Sequence, residues 1–402
     1  LSGKRNDRGA ASPNSRGPSQ LPSATGALIL VVTTMFLARV MFTPIFESPL
    51  FQMIPDMGAV AVVFWQGASA ATSYLFLFSG VALAWSVRPG ERLRRFWWRR
   101  FLELYPAHLI TLVAAIVLFS FVPMFPVDPG VAVLNGTLLH AWFPQLEIWT
   151  SFNSSSWVVS CELLFALCFP VLMALIGRIR PERLWAWTGG VVALIFLIPL
   201  VATALPDHLA APYPGHEFIG VPDSQFWFVT KFPPVRMLEF VLGILLARIV
   251  RTGRRLPFGV RGATMLLVVS YAVAPLFPLT YPMVAVMAVP MGLVIAALAA
   301  ADHAGRRSWL NSRVIVWLGG RFWAFYLWSL LVLNAGVALL VGGFDWLTGI
   351  AVVVLLLGVT LLLAWLHDVL VQRPIMRRLA EPEGRREAGS GLVRAEADGP
   401  RA

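Results

Sequence analysis

Residues 94–108 read RRFWWRRFLELYPAH, and residues 109–125 read LITLVAAIVLFSFVPMF. Arginines crowded among aromatic rings give way to a run with no charge at all. That order marks the boundary of a lipid bilayer: basic and aromatic residues at the headgroups, then an apolar helix long enough to cross. Working outward from this stretch, apolar runs of about 20 residues recur along the chain, the length that spans a hydrocarbon core. They fall at about 26–45, 66–87, 105–125, 156–176, 185–204, 226–249, 259–276, 282–301, 323–342 and 347–370. A further apolar piece, Val131 to Phe143, is too short to span and reads as a surface or re-entrant segment.

Composition agrees. Of 402 residues, 58% are hydrophobic and 13% charged, and the mean hydropathy is +0.73. Soluble domains carry about 45–50% apolar and about 25% charged residues. A disordered chain would be charge-rich and apolar-poor. A disulfide-stapled secreted domain does not fit this length with two cysteines. Cys161 and Cys168 are seven apart in one apolar segment, about 10.5 Å along a helix, beyond the reach of a disulfide. They read as small buried apolar residues. All basic residues except Lys4 and Lys231 are Arg, a bias that GC-rich codon usage produces.

The formal net charge of +11 is not spread evenly. With the N-terminus in the cytoplasm, one set of loops holds Arg88 to Arg100, Arg178 to Arg183, Arg248 to Arg261 and Arg306 to Arg321. The opposite loops, about 46–65, 126–155, 205–225, 277–281 and 343–346, contain no Lys or Arg. They do contain acids, among them Glu47, Asp128, Glu147, Asp223 and Asp345. This is the positive-inside distribution, and counting Val131–Phe143 as a span would scramble it. The fold class is therefore all-α integral membrane, with ten transmembrane helices and both termini cytoplasmic. The basic charge reads as a topology determinant and a contact for anionic lipid, not as a nucleic-acid surface. Residues 1–22 and 377–402 are polar and read as disordered cytoplasmic segments flanking a membrane domain at 23–376.

Charge inside a span is costly and marks function by default. Arg39 lies deep in the first span; it either snorkels to the outer surface or acts there. Lys231, one turn into the sixth span, reads as snorkelling. Arg236 and Glu239 are three apart on one helix face and can pair, structurally or for substrate. Glu162 sits about two turns into the fourth span, suited to proton handling or to a structural hydrogen bond. Ser156 and Ser160 share a face there, while Glu162 is turned from it by about 160–200°. The arginine cluster at 94–100 reads either as a phosphate site or as a plain positive flank.

Six short stretches, in order, resemble the acyltransferase-3 family of bacterial integral membrane acyltransferases, over roughly Leu21 to Pro374. LPSATG at 21–26 is similar to the family's opening, and FLFSG at 76–80 to its F-x-L-S-G. RRFLELYP at 99–106 resembles R-R-x-x-R-I-Y-P, and SWVVSCE at 156–162 resembles S-W-S-L-S-x-E. PVRMLEFVLG at 234–243 and FYL at 325–327 resemble later blocks. The resemblance implies a ten-span core, which agrees with the charge count. It implies transfer of an acyl group, usually from a coenzyme A thioester, to a hydroxyl of a sugar or sugar-bearing molecule, macrolide antibiotics included. It implies that Arg100, with Arg99, meets the donor's phosphates, and that no cofactor is bound, acyl-CoA being a substrate. It further implies a multi-pass place in the bacterial cell membrane; partners are acyl-CoA, the hydroxyl acceptor and the bilayer, with oligomeric state left open.

The chain departs from the family at its polar positions. The family's first-span Arg and His fall at Leu28 and Arg39; its second third-span Arg falls at Glu103; a later His falls at Ser329; the Ser after the motif Trp is Val158. A guanidinium stays protonated, so Arg39 cannot be a general base. Two readings follow. In one, the protein is an acyltransferase with a rearranged centre. Glu162, Arg39 and Ser160 then form its catalytic group, with Glu162, His108 or His140 as base and Arg39 as an oxyanion or acceptor clamp. Arg99, Arg100, Trp157, His108, Arg236 and Glu239 bind substrates. In the other, it is a non-catalytic relative that binds or transports.

Overall fold

The computed structural model describes residues 21–41, 57–87, 90, 92–121, 128–206, 217–218, 220–340 and 344–380. Of the polar ends expected at 1–22 and 377–402, residues 1–20 and 381–402 lie outside the described residues, as do parts of the outer loops expected at 46–65 and 205–225. What is described is a helical bundle. The long helices are α1 (Pro22–Met41), α2 (Met57–Ser86) and α3 (Leu93–Phe121). Two short ones follow, α4 (Pro129–Gly136) and α5 (Leu146–Trp149), then α6 (Trp157–Gly177) and α7 (Leu184–Ala202). A two-residue pair of strands, β1 (Glu217–Phe218) and β2 (Val221–Pro222), precedes α8 (Asp223–Thr230) and α9 (Pro233–Arg251). The chain continues through α10 (Val260–Val273), α11 (Ala285–His303), α12 (Arg313–Gly319), α13 (Phe322–Leu339), α14 (Trp346–His367) and α15 (Arg373–Ala380).

Among the described residues, eight helices are long and apolar enough to cross a membrane. They coincide with eight of the ten expected spans. Helices stand at the other two places as well, α9 and α10, but α10 is short and α9 carries Arg236, Glu239, Arg248 and Arg251. In lipid every backbone group must be satisfied within the chain, which is why apolar runs of this length become helices. The sixth segment, expected as one span at 226–249, is broken into α8 and α9. Pro233 and Pro234 have no N–H to extend the ladder of α8, and they start α9 instead. Helix α15 continues to Ala380, four residues into the tail expected as disordered from 377.

α2 is the most enclosed span and α14 the least. Around α2 pack α1, α9 and α11. Small residues let the backbones touch, as membrane helix interfaces require. A Cβ on Gly80 would lie 2.1 Å from the Phe240 carbonyl oxygen, and one on Gly243 would lie 2.2 Å from that of Leu77. The two glycines thus set the α2–α9 crossing reciprocally. Gly26 and Gly319 do the same where α1 meets the Leu310 turn and α12. The core between these helices is aromatic: Phe76, Phe165 and Phe240 are fully buried, and the Phe165 ring contacts the other two. Leu30, Val113, Val171, Leu194, Val268 and Val354 point outward, as a lipid-facing surface demands.

The piece Val131–Phe143 does not form a span. Asp128 caps α4 by accepting from the Val131 N–H at 2.9 Å, with Pro129 in the first turn. The chain then turns through Leu138, at φ 60°, into a 3-10 turn at His140–Trp142. Tyr105 Oη donates to Gly136 O at 3.0 Å, Trp227 Nε1 to Ala141 O at 3.0 Å, and Asn153 Nδ2 to Leu327 O at 3.0 Å. The segment is a folded cap packed against the middle of α3 at Tyr105, the first turn of α6 at Ser160 and α8 at Trp227.

Candidate active site

The site is built on α6, whose polar residues face three different neighbours. Ser155, just ahead of α6, accepts from Arg39 Nη2 at 2.9 Å. Arg39 Nη1 also donates to Tyr326 O at 3.0 Å and to Ser329 Oγ, and its guanidinium lies 4.5 Å from the Tyr326 ring centroid. Arg39 therefore ties α1 to α13 and α6. The snorkelling alternative is excluded, because the side chain turns into the bundle rather than out to the surface.

Ser156 Oγ donates to Asn153 O at 2.8 Å and lies 3.0 Å from His140 Nε2. Burial, and behind it His108, push His140 down to about 3, so its ring stays neutral. Ser160 Oγ donates to Leu138 O at 2.5 Å, which the left-handed turn at Leu138 presents to it. His108 Nε2 donates to Asn135 O at 2.9 Å. Ser160 and His108 thus hold the cap in place, and neither lies with Glu162.

Glu162 faces α2 and α3. Its Oε2 accepts from Ser79 Oγ at 2.6 Å, and Oε1 has no hydrogen-bond partner among the described residues. Trp97 Nε1 donates to Ala166 O at 3.2 Å. Since α3 and α6 run antiparallel, that bond puts Glu162 level with the turn of α3 that carries Arg100. Arg100 and Glu103 both act electrostatically on Glu162, and they pair with each other at 2.7 Å. Arg99 rests 5.9 Å from the Phe96 ring centroid. The expected divergence on α6 is found: Ser156 and Ser160 face the cap, Glu162 faces α2 and α3.

Arg236 and Glu239 pair at 2.8 Å, at 1% and 0% exposure, with the guanidinium 5.0 Å from the Phe76 centroid. The reading of Lys231 as snorkelling is overturned. Its exposure is 9%, and Nζ lies 4.2 Å from the Trp157 centroid, 5.3 Å from Trp149 and 5.6 Å from Phe226. The α8–α9 break turns it inward, into an aromatic box that satisfies a cation from its ring faces. Trp157 is thereby a wall for Lys231. Cys161 is buried, whereas Cys168 is only half-buried, and both are free thiols.

Sequence reasoning missed Ser79, Ser155 and Lys231. Ser79 lay inside FLFSG, where it reads as scaffold. Ser155 lay one residue outside SWVVSCE. Lys231 carried a signal, being a lone lysine at a span in a chain that otherwise uses arginine.

Arranged this way, a carboxylate with one oxygen unpaired among the described residues stands level with an arginine in one layer, and a fixed guanidinium stands in another. The profile of a family described as an acyltransferase domain matches residues 26–369. The chain is 36% identical over 373 residues to "Acyltransferase MdmB" of Streptomyces mycarofaciens, covering 90% of this chain and 92% of that protein. No solved structure matches. The chain belongs to the acyltransferase-3 family and is an acyltransferase.

Proposed function

We propose that this protein is a membrane O-acyltransferase that moves a short acyl group from acyl-CoA to a hydroxyl of a sugar or a glycosylated natural product, such as a macrolide. One observation carries the reading: the buried Glu162 carboxylate has Oε2 held by Ser79 and Oε1 without a partner among the described residues, level with the turn of α3 that carries Arg100. A carboxylate held by one hydrogen bond, with its other oxygen buried and unpaired among the described residues, suits a general base once substrate reaches it. Arg39 cannot take that part, because its guanidinium stays protonated.

In this reading Glu162 Oε1 takes the proton of the acceptor hydroxyl as that oxygen attacks the thioester carbonyl. The tetrahedral intermediate collapses, the C–S bond breaks, and the proton passes from Glu162 to the departing coenzyme A sulfur. Arg99 meets the donor's phosphates, and Arg100, level with Glu162, holds the acyl end of the donor, which the pantetheine arm sets apart from them. Arg39 clamps the acceptor at the far end of the site, since its partner Ser155 is seven residues, about 10 Å, from Glu162 along the chain. Arg236 and Glu239 act on the bundle rather than on substrate. The chain crosses the bilayer ten times with both ends cytoplasmic, a reading supported by the loop arginines, and it resides in a bacterial cell membrane.

Membranes carrying the protein, given radiolabelled acetyl-, propionyl-, butyryl- or isovaleryl-CoA with a panel of glycosylated acceptors, test this. Transfer that is lost in both Glu162→Gln and Arg100→Ala is the expected result. Transfer that survives Glu162→Gln would remove Glu162 as the base.

A further inference from the structure

The C-terminal ends of α2, α6 and α9 meet around a cavity of about 370 Å³. Its apolar walls include Ala84, Met173, Ile176 and Ile244, and its polar part comes from Arg248, Arg251 and Thr252. Gly177 is also in the lining, and a Cβ there would meet nothing within 4 Å. Three helix C-termini concentrate carbonyl oxygens here, and each arginine caps one: Arg248 Nη2 donates to Ile179 O at 2.7 Å, Arg251 Nη1 to Ala84 O at 2.9 Å. Capping occupies one of the five N–H groups on each guanidinium. Arg248 Nη1 is buried with no partner among the described residues. Arg178, Arg180 and Arg183 follow α6 in the sequence and Arg254 and Arg255 follow α9, while Glu182 is bound to Arg254 at 2.6 Å. The described lining holds no acid, and its two arginines set full positive charge against the partial negative charge of the helix ends.

We propose that this cavity is a binding site for a phosphate ester carried on an apolar arm. The phosphate takes the unused donors of Arg248 and Arg251, and the arm lies between Met173 and Ile244. Two guanidiniums fixed by backbone bonds are preorganised for a phosphate, and an anion there completes the orphaned Nη1. Two molecules carry this chemistry, coenzyme A and an anionic phospholipid. The first rests on the donor assignment made above; the second does not.

The test uses the full chain in dioleoylphosphatidylcholine nanodiscs, with Arg248→Gln/Arg251→Gln, Gly177→Leu and Arg99→Ala. Gly177→Leu fills the cavity and leaves both arginine caps in place, so it stands if the double variant does not fold. Coenzyme A binding is measured by calorimetry, and dioleoylphosphatidylglycerol retention by native mass spectrometry from discs containing that lipid. Loss of affinity of about tenfold or more for one probe, in the double variant and in Gly177→Leu alike, is expected and names the source. Coenzyme A binding that falls only in Arg99→Ala, with the lipid unaffected, overturns the site and leaves the transfer reading standing. Unchanged binding of both probes in Gly177→Leu, or no binding of either by the wild type, also overturns it.

Discussion

The buried ion pair Arg236–Glu239 allows a prediction that separates a structural role from a substrate-binding one. The charges are 2.8 Å apart at 1% and 0% exposure, while Arg236 Nε and Nη1 have no hydrogen-bond partner among the described residues. Removing one partner leaves the other charge buried and alone, which costs about 3–5 kcal/mol. Arg236→Met and Glu239→Met should each destabilise the bundle by that amount. The double variant replaces both charges with flexible apolar chains of similar length, and such replacements are often neutral. It should recover to within about 1–2 kcal/mol of the wild type, giving a coupling of several kcal/mol where independent sites would give about zero. Equilibrium unfolding in mixed detergent micelles, followed by circular dichroism, measures all four corners of the cycle. Acyl transfer by the double variant should stay within a few fold of wild type. Additive losses would refute the account of the pair. A double variant with recovered stability but abolished transfer would show that the pair meets substrate.

Further outcomes follow from the same geometry. Glu162→Gln should lower kcat by about 10²–10⁴-fold, the usual contribution of a general base, with donor KM little changed; steady-state kinetics on nanodisc-held protein checks both. Arg39→Lys keeps the charge but loses the fork that reaches Ser155, Ser329 and Tyr326 together, so acceptor KM should rise more than kcat falls. Gly80→Ala puts a Cβ 2.1 Å from the Phe240 carbonyl oxygen, whereas Gly189→Ala meets nothing within 4 Å. The first should fail to yield monodisperse protein on size-exclusion chromatography, and the second should purify normally. His140 is held down at about 3 mainly by burial, below the ordinary value of about 6.5 for an unfolded chain. Its stabilising contribution is full above about pH 6.5 and is lost as pH falls toward 3, so lowering the pH from 7 to about 5 should cost about 2 kcal/mol. His140→Asn should flatten that slope in thermal melts taken across the range.

Most of the fold was legible because lipid enforces it. Length, apolarity and loop arginine located helices at all ten expected places, since each rule acts on one segment at a time. The misreadings came where two segments act on one another. The break at Lys231 needed the weight of Pro233–Pro234, and the lysine's inward turn needed Trp149, Trp157 and Phe226 from three separate stretches. The separation of Ser160 from Glu162 was legible from 100° per residue, because a single helix decides it. Ser79 as the partner of Glu162 was not. It depends on how closely α2 comes to its neighbours, and that is set by Gly80 and Gly243, which meet only in the folded bundle.

The substitution of Arg at position 39 bears on what the acceptor must be. A guanidinium held by a backbone carbonyl and two serine hydroxyls is fixed in place and fully charged, so it can orient a substrate but cannot accept a proton. With Glu162 as base, the group that is oriented and the group that reacts lie in different layers. Ser155, in the turn just ahead of α6, and Glu162 are seven residues, about 10 Å, apart along the chain, more than one small hydroxyl compound spans. On this reading an acceptor that engages both must be extended, with polar atoms for Arg39 at one end and the reacting hydroxyl at the other. A sugar joined to a larger aglycone meets that requirement and a free monosaccharide does not. Truncating the acceptor to its sugar alone should therefore lower kcat/KM in the wild type and make little further difference in Arg39→Ala, because the contact being removed is the same one.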